Sequence, residues 1–275
     1  MVPVNGAAFA TGLAATAGAA LVVMLLAFAA GLRTGRHRGV DVAWGLGFAA
    51  VALTGLGLSA GYGDAGRRAL VTALVVVWGL RLSAHIARRG RGAGEDPRYA
   101  AMLAGAPPGH ERRYALRKVY LLQGALVWFV SLPVQYAQYL PQRLGPLAWA
   151  GTALWALGLF FEAVGDRQLD RFRADPANRG RVLDRGLWRY TRHPNYFGDA
   201  CVWWGLFLFA AGSPAGWAFL PSVLLMTWLL AFGSGKPLLE RQLSAHKPGW
   251  AEYAACTSGF LPLPPRRRQR QGRAG

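Results

Sequence analysis

The sequence predicts an all-α integral membrane protein: a bundle of seven transmembrane helices with the N-terminus outside and the C-terminus in the cytoplasm. Three observations predict it. Hydrophobic residues make up 53% of the 275 positions and charged ones only 16%, with mean hydropathy +0.21, too apolar for a soluble domain of average usage. Seven apolar runs recur along the chain, each near the ~20 residues that cross a ~30 Å hydrocarbon core. The basic residues, which give a formal charge of +18, sit in blocks between those runs. Arg blocks between apolar segments fit membrane topology and not a phosphate-tracking groove, so nucleic acid is not an expected partner.

The spans are expected near 11–31, 41–62, 69–86, 119–140, 145–163, 196–213 and 216–233. The first lacks a basic flank before it and is expected to be retained as a span, not cleaved as a signal. Only PQRLG separates the fourth from the fifth and SPAG the sixth from the seventh, breaks that suit helical hairpins. Arg33, Arg36 and Arg38 lie in loop one, and Arg67 and Arg68 with Asp64 in loop two. Loop three runs from Arg88 and Arg89 to Lys118, loop four has Arg143 alone, and loop five holds eight Arg from Arg167 to Arg192. The positive-inside rule therefore puts the odd loops and the C-terminus in the cytoplasm. A single membrane domain over 1–265 is expected, followed by a disordered basic tail over 266–275 that lies against anionic lipid.

Ionisable residues next to spans are expensive unless they face a cavity or pair. Here they gather at the expected cytoplasmic ends: Asp41 and Trp44 on span two, Arg81 and His85 on span three, and Gln123 on span four. Glu162 and Asp166 close span five, Asn195, Tyr196 and Asp199 open span six, and Lys236 and Glu240 follow span seven. Glu162, Asp166 and Arg173 fall at i, i+4 and i+11 on one helical face; Asn195, Asp199 and Trp203 share another, and Arg81, His85 and Arg88 a third. The expectation is one polar pocket open to the cytoplasm. Arg88 and Arg89 also suit snorkelling to headgroups, His85 a structural role, and Trp203 and Trp204 an aromatic belt.

The Arg-rich stretch 167–192 suits an anionic ligand, since Arg forks take phosphate bidentately, and Pro194 starts a helix whose first N–H groups face the same region. A phosphate-bearing cofactor follows from this. No Gly-x-Gly-x-x-Gly follows a strand and no P-loop exists, so neither nucleotide-binding loop is expected. The five histidines make no metal-type pairing, so no metal is expected. Cys201 and Cys256 read as neither a disulfide nor a zinc site.

GLWRYTRHPNYFGD, with FFEAVGDRQLDRFRADP before it and GKPLLERQLSAHKPGWAEY after it, resembles the steroid 5-alpha-reductase-like membrane family, in particular its bacterial DUF1295-type branch of unknown function. DVAWGLGF, WGLRLSAHIARR, GEDPRY and LLQGALVWFVSLPVQ carry the resemblance across most of the chain. It implies a seven-helix bundle in a bacterial inner membrane, its site facing the cytoplasm. It also implies an NADPH-dependent reductase that delivers hydride to the double bond of a lipid-soluble, steroid- or polyprenyl-like enone. By motif, Asp166, Arg173, Asn195 and Asp199 are implied as cofactor contacts, with Glu162 where the family often has Asn. Tyr190, Arg192, His193 and Tyr196 lie within the same motif. In the steroid reductases a carboxyl on span two and a Tyr on span three polarise the substrate carbonyl. Asp41 is the one acid on span two, and span three has no Tyr, so Arg81 or His85 would have to substitute. The wider superfamily includes isoprenylcysteine carboxyl methyltransferases, which share the Arg-His-Pro-x-Tyr pattern of Arg192–Tyr196. An S-adenosylmethionine-dependent membrane methyltransferase is the alternative, and a catalytically inactive lipid-binding member of the fold a third reading.

Overall fold

A computed structural model describes residues 4–233 and 235–266. Among them the secondary structure is helical, apart from an isolated bridge between Thr191 and Ser258. The basic tail expected over 266–275 lies, beyond Arg266, outside the described residues.

Helices α1 (Gly6–Thr34), α2 (Gly39–Leu58) and α3 (Ala65–Arg89) coincide with the first three expected spans. The fourth is broken. After the short α4 (Pro97–Leu103) and α5 (Glu111–Ala115), a π-helical stretch Leu116–Leu121 leads into α6 (Leu122–Val130) and α7 (Leu132–Gln138). The axis bends by 45° between α6 and α7. Pro133 has no N–H for the preceding turn, and the Ser131 hydroxyl takes up the Trp128 carbonyl at 2.9 Å. Then come α8 (Pro146–Ala174), α9 (Pro194–Ala211), α10 (Leu220–Ala231), α11 (Lys236–His246) and α12 (Trp250–Cys256).

Among the described residues five segments are long and apolar enough to cross a membrane: α1, α2, α3, α8 and Pro214–His246. The bent pair makes a sixth. The protein is thus an all-helical integral membrane protein. The helix at the expected sixth span, α9, is not in this set, because Asn195, Tyr196 and Asp199 occupy its first turns.

The chain divides into two compact units. The first comprises Met1–Trp149 and Leu206–Ser222. In it α2 packs against both α1 and α3. A Cβ on Gly79 would sit 2.5 Å from the Gly45 carbonyl, so the backbones of α2 and α3 touch there, and Ser83 Oγ donates to Val42 O at 2.8 Å. Arg67 is 4% exposed, and its guanidinium donates to three carbonyls: Phe209 O at 2.8 Å, Arg143 O at 2.9 Å and Gln142 O at 3.0 Å.

The second unit comprises Ala150–Gly205 and Val223–Gly275. Its axis is a glycine seam between α8 and α9. A Cβ on Gly198 would lie 2.5 Å from Gly158 O and 2.8 Å from the Glu162 amide, and one on Gly205 would lie 2.5 Å from Gly151 O. Gly165 rests on Pro194 and the Asn195 amide. Only residues without a side chain allow this approach.

Candidate functional site

The twelve site residues expected from sequence fall in different units. Asp41, Arg81 and His85 belong to the first, and the nine cofactor candidates to the second.

In the second unit, GLWRYTRHPNYFGD folds as a turn that delivers the chain to α9. Gly186 has φ 64°, and its missing side chain makes room for Gln168, whose Oε1 accepts from the Leu187 amide at 3.0 Å. A 3₁₀ turn, Gly186–Arg189, follows. Trp188 is buried in it and donates from Nε1 to Gly165 O at 3.0 Å, while Tyr253 Oη donates to Trp188 O at 2.6 Å. Burial pushes the Tyr253 phenol well above its usual value and keeps it a donor. The C-terminal segment clamps the same turn: Arg192 N donates to Ser258 O at 2.9 Å and Leu263 N to Tyr190 O at 3.0 Å.

Arg192 and His193 have partners inside the protein. Arg192 Nε donates to Glu240 Oε1 at 2.8 Å, and its NH1 donates to Ala254 O and Thr257 O. His193, 1% exposed, meets the same carboxylate oxygen through Nε2 at 2.9 Å and lies parallel to the Tyr196 ring with centroids 5.3 Å apart. Burial holds the imidazole below its usual value even though Glu240 pulls the other way. Neutral His193 therefore donates from Nε2, and its buried Nδ1 has no hydrogen-bond partner. Two of the expected cofactor residues, Arg192 and His193, thus tie the start of α9 to α11.

The remaining candidates form a gradient along α8 and the start of α9. Glu162 and Asp166 are buried, at 3% and 8% exposure. Asn195, Tyr196 and Asp199 are half-buried, and Asn195 Oδ1 accepts from the Tyr196 amide at 3.1 Å. Arg173 and Tyr190 are exposed. Beside Arg173 stands Lys247, whose ammonium donates to Arg181 O at 2.7 Å. Burial, and then the Arg173 charge, hold Lys247 below its usual value. Two cations held close at the rim, with carboxylates deeper, suit a ligand that carries phosphate outward and hydroxyl or amide donors inward. This donor set fits a dinucleotide.

In the first unit the structure pairs Asp41 with residues from α4. Tyr99 Oη donates to Asp41 Oδ1 at 2.5 Å, and Arg98 NH2 donates to Asp41 Oδ2 at 2.7 Å. Arg98 also bonds Asp96, through Nε at 3.0 Å. Tyr99 is 4% exposed, and burial together with the Asp41 carboxylate pushes its phenol far above the usual value. Asp96 is opposed by burial, but the hydrogen bonds and charge of Arg98 outweigh it and hold this carboxyl below the usual range. Glu95 fixes α4 in place: its carboxylate accepts from the amides of His37, Arg38 and Asp96, the last two at 2.9 and 2.8 Å. Arg81 and His85 are half-buried near the C-terminal end of α3.

Sequence reasoning missed Tyr99, Arg98 and Lys247 as members of these networks, and it named Glu240 in the polar cluster without its pairing to Arg192 and His193. GEDPRY marked the neighbourhood of Tyr99, but no periodicity links it to Asp41, 58 residues away.

The Protein of unknown function (DUF1295) family model matches residues 27–257. An uncharacterized protein of Schizosaccharomyces pombe, C594.04c, is 25% identical over 250 residues, which cover 81% of this chain and 72% of that one. The 3-oxo-5-alpha-steroid 4-dehydrogenase 1 of Bos taurus is 38% identical over 87 residues, 31% of this chain and 33% of the relative. No solved structure matches. With a family model covering most of its length and a steroid reductase among its relatives, the chain belongs to the DUF1295 family of steroid 5-alpha-reductase-like proteins.

Proposed function

We propose that the protein is an NADPH-dependent membrane reductase that saturates a carbon–carbon double bond conjugated to the carbonyl of a lipid-soluble substrate. The observation that carries this reading is the hydrogen bond between Tyr99 and Asp41. A buried phenol beside the one acid of span two is the donor that a conjugated carbonyl requires once its proton turns away from Asp41, although the phenol comes from α4 and not from span three. The similarity to 3-oxo-5-alpha-steroid 4-dehydrogenase 1 supports the reaction class. We place this activity in a single seven-span domain over 1–265, N-terminus outside, in a bacterial inner membrane with the site facing the cytoplasm.

The bound nicotinamide would supply the hydride, which forms a C–H bond at the β-carbon as the double bond's electrons move to the carbonyl oxygen. Tyr99, whose single phenolic proton rests on Asp41 Oδ1, would turn that proton to the oxygen as its charge develops. Its phenol stays protonated at neutral pH, so it stabilises the enolate by donation and not by proton transfer. Asp41 holds the phenol in place before its hydrogen bond turns to the substrate oxygen, Arg98 stays on Asp41 when the phenol turns away, and a proton from water completes the α-carbon. Arg173 and Lys247 would meet cofactor phosphate. Asp166, Asn195 and Asp199, with Glu162 behind them, would take ribose and amide donors.

One observation favours a second reading. Glu162 and Asp166 are buried acids, and a sulfonium cofactor such as S-adenosylmethionine is cationic where these acids sit. Equilibrium binding of NADPH, NADP⁺ and S-adenosylmethionine to the detergent-purified protein separates the two. We expect NADPH binding that weakens in Arg173→Ala and Asn195→Ala, and deuterium transfer from labelled NADPH to an enone. Tight S-adenosylmethionine binding without NADPH binding would overturn the reductase reading.

A further inference from the structure

The extension of α8 that carries Asp166 and Arg173 has a second, differently built face. Gln168, Arg171 and Phe172 recur at i, i+3 and i+4, on the side opposite Asp166 and Arg173 at ~100° per residue, and Asp175 follows just past the end of the helix. With Leu183 and Arg185 they line a cleft of ≈ 330 Å³, within the ~300–1,000 Å³ of small-molecule sites. None of the cofactor candidates lines it.

The floor of the cleft is apolar: Phe172 and Leu183 are buried and pack with Trp188 into one small cluster. Two of its acceptors already hold donors. The Asp175 carboxylate accepts from the Ala177 amide at 2.9 Å and from Asn178 Nδ2 at 3.2 Å, and Gln168 Oε1 accepts from Leu187. Its cationic donors, Arg171 and Arg185, are exposed and make no ion pair among the described residues; the Arg185 guanidinium lies 6.0 Å from the centre of the Phe172 ring. Two guanidinium groups and the Gln168 amide over an apolar floor make a receptor for an anion with an apolar attachment.

Depth selects the anion. The apolar part of α8 ends near Val164; Arg171 follows about 10 Å along the helix, just past the ~5–8 Å headgroup layer, and its long side chain reaches back to headgroup phosphates. We infer that this cleft binds the phosphodiester of an anionic phospholipid: Arg171 and Arg185 take the phosphate, and the first carbons of the lipid lie on Phe172 and Leu183. The site holds independently of the reductase reading.

The test is lipid retention by the full-length protein, delipidated in detergent and analysed by native mass spectrometry with phosphatidylglycerol, phosphatidylcholine or adenosine monophosphate. The wild type is expected to retain phosphatidylglycerol over phosphatidylcholine. Arg171→Ala/Arg185→Ala should weaken that retention at least tenfold, while Arg112→Ala/Arg113→Ala, which removes equal charge from α5, leaves it unchanged. Arg171→Lys/Arg185→Lys keeps the charge but loses the fork and should fall between. Thermal unfolding of each variant shows that it is folded. Equal retention in Arg171→Ala/Arg185→Ala and wild type, or an equal loss in the α5 variant, would overturn the site. Adenosine monophosphate binding that needs Arg171 and Arg185, with phosphatidylglycerol retention unchanged, would overturn the lipid assignment.

Discussion

Tyr99 and Asp41 share a 2.5 Å hydrogen bond that joins the short helix α4 to the first turn of α2. If this pair polarises a carbonyl, Tyr99→Phe should slow deuterium transfer from labelled NADPH about 10²–10³-fold, the usual effect of losing one oxyanion donor. NADPH affinity should stay unchanged. Asp41→Asn should slow transfer in the same way. Transfer at wild-type rate in both variants would remove the pair from the chemistry.

Arg173 and Lys247 stand close enough to repel each other. Removing either should weaken NADPH binding about tenfold, the equivalent of ~1.4 kcal/mol. The loss should shrink for a cofactor without the 2′-phosphate if these cations hold that group. Calorimetric titration of each variant with NADPH and NADH measures both effects.

Glu240 is the shared acceptor of Arg192 and His193. Glu240→Ala leaves a mostly buried guanidinium and an imidazole without their acceptor, and should destabilise the protein by about 2–4 kcal/mol. Denaturant unfolding in mild detergent reads this directly. Glu240→Gln keeps one acceptor and should lose less.

His193 is held neutral by burial, below its ordinary value of 6.5. The unfolded chain therefore binds a proton there at a higher pH than the folded one. This contribution to stability is complete above the unfolded value and falls as pH drops from about 6.5 toward the folded value. His193→Gln retains a donor for Glu240 but cannot titrate, so its stability should change less than the wild type's between pH 7 and pH 5. Unfolding midpoints across that range decide the point.

Gly198→Ala places a methyl group against Gly158 O and the Glu162 amide. The helices must separate, at about 1–3 kcal/mol. Gly180→Ala, whose Cβ would meet nothing within 4 Å but whose φ is 79°, should cost about 1–2 kcal/mol for a backbone reason alone. Comparing the two separates contact from conformation.

The parts of the fold readable in the sequence were those written as runs. Spans one, two, three and five appear as α1, α2, α3 and α8 because each is a long apolar string. The bend at Ser131–Pro133 interrupts span four, and the polar first turns of α9 blur span six. Arg67 and Arg68 counted as loop charges, yet Arg67 is a buried clamp and Arg68 bonds Ser59 Oγ at 2.7 Å. Composition cannot tell a solvated Arg from one that saturates carbonyls. For the candidate site, spacing put Glu162, Asp166 and Arg173 on one face of α8. Contacts between distant segments were invisible: Glu240 lies 48 residues from Arg192, and both belong to helical or turn segments with no shared period.

The glycine seam between α8 and α9 limits how the second unit can move. Two backbones interlocked at Gly158, Gly198 and Gly205 cannot slide in register or roll without lifting one chain off the other. They form a fixed rail. Any adjustment that admits a ligand to Glu162 or Asp166 must then come from the parts that rest on this rail: the 176–193 turn, α11, and the C-terminal segment that clamps them. Motion measured by hydrogen exchange should accordingly be slow along α8 and α9 and fast in those coverings.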